Sequence, residues 1–350
     1  MKFLLLTLIT HTPDPVTGTK SSTHDRLRQV IDNAVLAEEL GYDGYAVGER
    51  HEVPFISSSP PVVLSHIAAK TSKIRLFTGV TTLSLLDPVR AFEDYATLDH
   101  LADGRLELMI GKGNGSAQRE LFNISEDEQW DRNRESYEVF RQLWRNNTIT
   151  WSGTIRPPLH EAQVWPKPYQ QHLRVWHGSA TSKASVDLAV HYGEPIFSAN
   201  VTYPVEPYQE LVDYYRAQWA AAGHNPADAR VGAGSAGFLI RPTSQEAKEL
   251  FRPVFDARYG NSTIWESYEH FLERSSALVG SPAEITEKIL RYHDALGHEV
   301  MHMNADGEGL TTEQHREGLE LFQSEVAPRI REAIPSNPLG TIENQLQLQN

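Results

Sequence analysis

Apolar residues along this chain fall into short continuous runs separated by longer stretches of helical period. Phe3 to Ile9, FLLLTLI, has the length and composition of a buried parallel strand. His24 to Leu40 carries Leu27, Val30, Ile31 and Ala34 on one helical face, and Gly41 closes it. Gly44–Val47 predicts a second strand and Pro61 to Lys70 a helix. Lys73 to Thr81 predicts a third strand. Asp87-Pro88 caps and opens the next helix, with Val89, Phe92, Tyr95 and Ala96 inward. Asp103-Gly104 breaks that helix, and Arg105–Ile110 predicts strand four.

The second half repeats the alternation. Glu126 to Arg145 predicts a long amphipathic helix with Trp130, Tyr137, Phe140 and Trp144 on its inner face. Ile149 to His172 is rich in proline and tryptophan and reads as a packed excursion. Strands are expected at Leu173–His177, Pro195–Ala199, Arg230–Ile240 and Glu299–Met303. Helices are expected at Pro207–Ala222, Ser244–Tyr259, Ser281 to Gly297 and Thr311–Glu332, with Gly260 to Leu278 as an insertion. Ser281-Pro282-Ala283-Glu284 is a capping box with proline at the first helical position. Strands alternating with helices predict one (β/α)8 TIM barrel over residues 1–333, with insertions after strands four and seven. The site of such a barrel lies at the carboxyl ends of its strands. Residues 334–350 form a polar tail, either mobile or crossing onto a partner subunit.

A length of 350 residues suits one such barrel. With 32 basic and 46 acidic residues the net charge is −14, which argues against nucleic acid or an anionic membrane as partner. The chain has no cysteine, so disulfides, thiolate nucleophiles and cysteine-ligated metals are excluded. Met1-Lys2 before FLLLTLI imitates a secretory leader. The run is short and no A-x-A-like site follows, so a cytoplasmic protein is expected. Fifteen histidines raise a metal question, but HExxH and Cys–His zinc spacings are absent and no metal is expected. His298 and His302, flanking a strand, are expected to serve packing or solvation. Glu38-Glu39 reads as a solvated face.

Four loops carry the candidate chemistry. Gly111-Lys112-Gly113-Asn114-Gly115 follows strand four and can bring backbone N–H groups and one cation to an anionic ligand, or simply be flexible. Gly178-Ser179-Ala180-Thr181-Ser182 opens a helix, where hydroxyls either cap or hold a phosphate. Glu49-Arg50-His51-Glu52 follows strand two. Arg50 is either an ion-pair partner of Glu49 or Glu52 or an anchor for an acidic substrate, and His51 is a candidate acid/base. His11 and His177 end strands one and five and are expected to point towards the mouth. Thr81 and Thr82, after strand three, are candidates to line it.

The order and spacing of several blocks resemble the bacterial luciferase-like monooxygenases, the group C flavin-dependent enzymes. The blocks are AEELGYDGYAVGERHE from Ala37, PVVLSHIAAKTSKIRLFTG from Pro61, DPVRAFEDYATLDHLADGRLELMIGKG from Asp87 and VWHGSATSKA from Val175. VGSPAEITEKILRYHDAL from Val279 matches more weakly. The resemblance implies a monooxygenase that uses reduced FMN and molecular oxygen on a small organic substrate. It implies a separate flavin reductase and a homodimer. It assigns Ser179 and Ser182, with Gly178 and Ala180 between and beside them, to the FMN phosphate, and Thr81 to the ring. Gly178 replaces an acidic residue of the luciferases proper, Lys112 replaces an arginine, and Arg50 replaces the first histidine of a Glu-His-His pattern, while His51 is retained. With His11, Arg50 and His51 form the expected catalytic set, and Lys112 and Asn114 join the cofactor set. Hydride transfer with a deazaflavin coenzyme and non-catalytic flavin binding are the alternatives found among relatives of this fold.

Overall fold

A computed structural model describes residues 1–113 and 115–339. Eight parallel strands close into a barrel: β1 (Lys2–Thr7), β2 (Gly44–Val47), β3 (Arg75–Thr78), β4 (Leu106–Gly111), β5 (Val175–Ser179), β6 (Ile196–Ser198), β7 (Val231–Gly234) and β8 (Val300–Asn304). β1 pairs with both β2 and β8, and β3 with β4, so the ring has no edge. The predicted (β/α)8 barrel is the observed one. Helices cover it between strands, among them Thr23–Glu39, Pro88–Leu101, Gln129–Arg145 and Lys183–Tyr192. The capping signals act as read: Asp87 accepts from Val89 and Arg90 N–H, and Ser281 with Glu284 forms a complete capping box.

Strand tilt makes alternate strands contribute to each interior layer. The registers give these layers directly. Leu4, Phe77, Trp176 and Gly232 form one. Ala46, Met109, Phe197 and His302 lie above it. Leu6, Gly79, Gly178 and Gly234 come next, and Gly48, Gly111, Ala199 and Asn304 form the rim. Trp176, Phe77 and Phe197 are fully buried and fill the lower barrel. The upper layers carry almost no side-chain volume. Outward-facing residues such as Leu5, Leu76, Leu108 and Met301 pack beneath the helices in the main core. Truncating one of the large buried aromatics to alanine costs about 3–5 kcal/mol.

At the opposite end, Lys2 pairs with Asp43, Arg75 with Glu107, and Arg230 with Glu299. The start of the polar C-terminal stretch crosses this end. Asn337 N donates to Glu299 at 3.1 Å, Arg174 donates to the Pro338 carbonyl at 3.2 Å, and Leu339 packs on the interior cluster.

Several boundaries differ from expectation. The predicted strand Arg230–Ile240 is two strands. Val231–Gly234 belongs to the barrel, and Phe238–Ile240 pairs in parallel with Leu278–Gly280 outside it. The break follows from the backbone: Ser235 N bonds to the His302 carbonyl, but Ala236 N is taken by the Ser276 hydroxyl. The 260–278 insertion contains the helix Tyr268–Arg274, whose Tyr268 and Phe271 join Phe251, Phe255 and Trp265 in a separate cluster. Strand one stops at Thr7, because Ile9 adopts a left-handed φ of 47°. Strand three stops at Thr78. A cis Gly79–Val80 peptide follows, and Thr81–Thr82 pairs with Ile110–Gly111. Trp130 is half-buried, whereas Tyr137, Phe140 and Trp144 are buried as expected. The last helix runs from Thr312 to Ala333 through a π-helical stretch at Phe322–Val326.

Candidate active site at the carboxyl mouth of the barrel

The mouth is shaped by what its residues lack. In the layer below the rim, Gly79, Gly178 and Gly234 occupy three of four inward positions. A Cβ on Gly178 would lie 2.7 Å from Val80 Cγ1, and one on Gly111 3.1 Å from Val80 Cγ2. A Cβ on Gly79 would lie 2.5 Å from Leu6 Cδ1. Only glycine lets Leu6 and Val80 fold across the opening as an apolar floor. Both side chains remain partly exposed on the mouth side. A flat, mostly apolar ring system fits such a floor.

One wall comes from the loop after β2. Glu49 is buried, with 5% exposure. One carboxylate oxygen is 3.0 Å from His51 Nε2, and the other accepts the Thr82 N–H at 3.2 Å. The His51 ring meets Phe122 edge-on, with centroids 4.8 Å apart. Thr82 Oγ1 is buried and has no partner among the described residues. Arg50 pairs with Glu52 and lies over the Phe55 ring, 4.7 Å from its centroid. Of the two readings of Arg50, the ion pair with Glu52 is formed. Glu49 went unassigned in the sequence, where it served only as a partner for Arg50. Its signal is a carboxylate placed one glycine after four buried strand residues.

Thr81 does not line the mouth with its hydroxyl. Its side chain is fully buried and Oγ1 lies 2.7 Å from Tyr95 Oη. The Tyr95 hydroxyl is held well above its ordinary range by burial and then by the charge of Glu49. Lys112, directly after β4, turns its side chain to the helix Gln129–Arg145, with Nζ 3.3 Å from Gln129 Oε1 and 5.7 Å from the Trp130 centroid. Asn114 lies outside the described residues. His11 follows β1, and its Nε2 is 2.9 Å from the Ser21 carbonyl. Its N–H bonds to the Pro54 carbonyl, which ties the β1 and β2 loops together.

His177 faces away from the mouth, against expectation. Alternation along β5 turns Trp176 and Gly178 inward and His177 outward. There it lies 2.8 Å from Glu194, which also binds Tyr137 and Arg141. Burial alone would raise Glu194, but His177, Tyr137 and Arg141 outweigh it and hold the carboxyl below its ordinary value. Of the two readings of His298 and His302, packing holds: both are buried, and His302 lies inside the barrel beneath Gly234.

The other wall is the turn Gly178 to Ser182. Ser179 Oγ accepts the Ser182 N–H at 3.0 Å and donates to the Ser182 carbonyl at 3.1 Å. The Ser185 hydroxyl donates to the Gly178 carbonyl at 3.2 Å. Ser182 makes no side-chain cap on the ten-residue helix Lys183–Tyr192, so its hydroxyl and the first-turn N–H groups remain for an anion. Ala180 is half-buried against the neighbouring core. This helix start adjoins Gly178, so the turn and the apolar floor are contiguous. A separate cleft of about 410 Å³ on the outer helices, lined by Lys248, Tyr268, Glu284 and Lys288, is remote from these strand ends in the topology.

The barrel, the open glycine layer and the helix-start turn together form a cleft at the carboxyl ends of the strands, where sites of such barrels lie. Residues 1–299 match the family model of the luciferase-like monooxygenases, and the chain belongs to that family. It is 27% identical over 315 residues to 4-hydroxyprotoasukamycin monooxygenase of Streptomyces nodosus subsp. asukaensis, covering 83% of this chain and 84% of that protein. The structure superposes on monooxygenase RslO1 from Streptomyces bottropensis with a TM-score of 0.83 at 24% identity, over 94% of this chain and 99% of that one. It superposes on the oxygenating constituent of 3,6-diketocamphane monooxygenase from Pseudomonas putida, a type II Baeyer–Villiger enzyme solved with FMN. There the TM-score is 0.78 at 20% identity, over 94% and 98% of the two chains. An F420-dependent secondary alcohol dehydrogenase shares the fold at a TM-score of 0.71 and 17% identity, over 94% and 99%. At these identities the solved structures establish the fold. Family membership supports an oxidoreductase with a flavin-type cofactor. Among the described residues no helix is long and apolar enough to cross a membrane.

Proposed function

We propose that this chain is an FMN-dependent monooxygenase that oxygenates a small organic substrate at the carboxyl mouth of its barrel. The observation that carries the reading is the cradle made by Gly79, Gly111 and Gly178 around Leu6 and Val80, continuous with an uncapped helix start at Ser182. Ser182 and the first-turn N–H groups hold the phosphate, helped by the helix dipole. Leu6 and Val80 support the ring. Reduced FMN, when bound, supplies the electrons for activating molecular oxygen, one atom of which enters the substrate and the other leaves as water.

The chain's own residues set the surroundings of that chemistry. The Glu49 carboxylate, 3.0 Å from His51 Nε2, fixes the orientation of the imidazole. The Thr82 N–H on the second oxygen keeps the Glu49 carboxylate from rotating. His51 is thus an oriented acid/base at the rim. Leu6, Val80 and Phe122 exclude water and strengthen each polar contact made there. A separate flavin reductase supplies reduced FMN, and the chain assembles as a homodimer.

The shared fold of the F420-dependent dehydrogenase motivates a second reading, hydride transfer with a deazaflavin. One experiment separates them. Purified protein is titrated with FMN and with F420, then loaded with chemically reduced FMN and given a ketone and aldehyde panel under 18O-labelled oxygen. FMN binding and incorporation of one labelled atom are expected. F420 binding without FMN binding, and no oxygen consumption, would replace this reading with the second.

A further inference from the structure

We propose that Lys288, in the cleft on the outer helices, is a covalent capture site for small uncharged aldehydes, which its amine takes up as an imine. The inference is independent of the reading of the barrel mouth. The cleft lies between the helices Ser244–Tyr259, Tyr268–Arg274 and Pro282–Leu296 and the strand Leu278–Gly280. Its volume of about 410 Å³ suits a small molecule. Leu272, Val279 and Ile285 give it an apolar lining, and the half-buried Lys288 forms part of its wall. A local reason puts a lysine there. The helix Tyr268–Arg274 ends with carbonyls that have no partner within the helix. Lys288 Nζ donates to the Leu272 carbonyl at 2.6 Å, Arg291 Nη2 to that of Glu273 at 3.2 Å, and Tyr292 Oη to that of Arg274 at 3.1 Å. That single bond holds the Lys288 amine at the cleft. Among the described residues it forms no ion pair. Glu284, one turn earlier on the same helix, pairs with Lys248 at 3.0 Å, and Glu269 pairs with Arg252 at 3.4 Å.

An amine desolvated beside other cations becomes a nucleophile. Burial, then the charge of Arg291, and after the opposing pull of Glu284 that of Lys248, lower the Lys288 pKa to about 7. About half of the molecules then carry a neutral amine at pH 7, against fewer than about one in a thousand for an ordinary lysine. The neutral amine keeps an N–H for the Leu272 carbonyl and has its lone pair free. That pair attacks the aldehyde carbon, and a proton passes from nitrogen to the former carbonyl oxygen. The resulting carbinolamine loses water and leaves the C=N bond, with no oxidant or reductant consumed. The lining also selects the ligand. Glu269, Glu273, Glu284 and Glu287 outnumber Lys248 and Arg291 around the amine, so an anionic carbonyl compound is repelled. The apolar residues take the alkyl chain of an uncharged one.

The test is chemical labelling of the full chain, without flavin. Purified protein is incubated with hexanal and sodium cyanoborohydride, which reduces an imine to a stable secondary amine, and the modified lysines are located by peptide mass spectrometry. At pH 7 Lys288 should be labelled about tenfold or more faster than any other of the nine lysines. Its rate should level off above about pH 8, whereas that of an exposed lysine climbs towards about pH 10. Adipic semialdehyde, of the same chain length but carrying a carboxylate, should label Lys288 about threefold or more slower than hexanal does. Lys288→Arg keeps a donor for the Leu272 carbonyl, so its melting temperature should stay close to wild type while the fast-labelled site disappears. The rate and the pH profile are read on the wild type, so neither depends on the variant folding. Labelling of Lys288 no faster than that of exposed lysines, or a rate that climbs with theirs to about pH 10, would overturn the capture site. Adipic semialdehyde reacting as fast as hexanal would overturn the ligand class.

Discussion

Acidification from pH 7 to pH 5 should remove about 4 kcal/mol from the stability of this fold, through two buried histidines. His298 and His302 are both buried and neutral, with burial lowering their pKa values from the ordinary 6.5 to about 3 and about 4. Neither ring nitrogen of His298 has a partner among the described residues. In the unfolded chain both rings titrate near 6.5. The unfolded state then takes up protons that the folded state refuses. Stability from this source is complete above about pH 6.5 and falls by about 1.4 kcal/mol per pH unit per ring below it. Over the window to pH 5 each ring contributes about 2 kcal/mol of loss, a large share of the 5–15 kcal/mol typical of a domain. Carboxylates held low in the fold, such as Glu194 and Glu135, act in the same direction but only below their ordinary range near pH 4.5. The two effects are therefore separated in pH. Urea unfolding followed by tryptophan fluorescence at pH 7, 6 and 5 measures the slope. His302→Phe should remove about half of it. A midpoint unchanged between pH 7 and pH 5 would show that these rings are not buried neutral groups, and would refute the layer placement of His302.

Four further outcomes follow from the site. Ser179→Asp places a carboxylate in the phosphate turn and should weaken FMN binding at least tenfold without unfolding the barrel; equal affinity would remove the turn from the site. Gly178→Val drives side-chain atoms into Val80, so flavin binding should be abolished while far-ultraviolet circular dichroism stays that of a folded barrel; a variant that binds FMN normally would refute the cradle. Arg50→Met should cost about 1 kcal/mol of stability, because the Glu52 pair is partly exposed, and should lower turnover alike on anionic and neutral substrates; a loss confined to anionic substrates would restore the anchor reading. Light scattering should give twice the 39.4 kDa chain mass at micromolar concentration, and a monomer would exclude the expected homodimer.

Much of this molecule is local and so legible along the chain. Burial on both sides makes parallel strands into continuous apolar runs, and amphipathic helices carry the 3.6 period, so the alternation reveals the barrel. Asp87 and Ser281 cap where they stand because a cap is a short-range contact. The hydroxyl-rich turn after β5 lies at a helix start because Ser182 precedes one. What tertiary structure alone decided is which strand-end residues face the mouth. Side chains alternate at every residue, so an error of one position exchanges Gly178 for His177 or His302 for Met301. Height within the barrel depends on tilt and on the register of all eight strands together, a closure condition that no local segment contains. For the same reason Thr81 turned into the helix layer while Val80 reached the floor. Glu49 acquired its role only when the segment after β3 brought the Thr82 N–H to its second oxygen. The sequence by itself determined the elements and the end of the barrel at which the candidate site was sought. Ring closure determined its floor, its open glycine layer and the histidine beneath them.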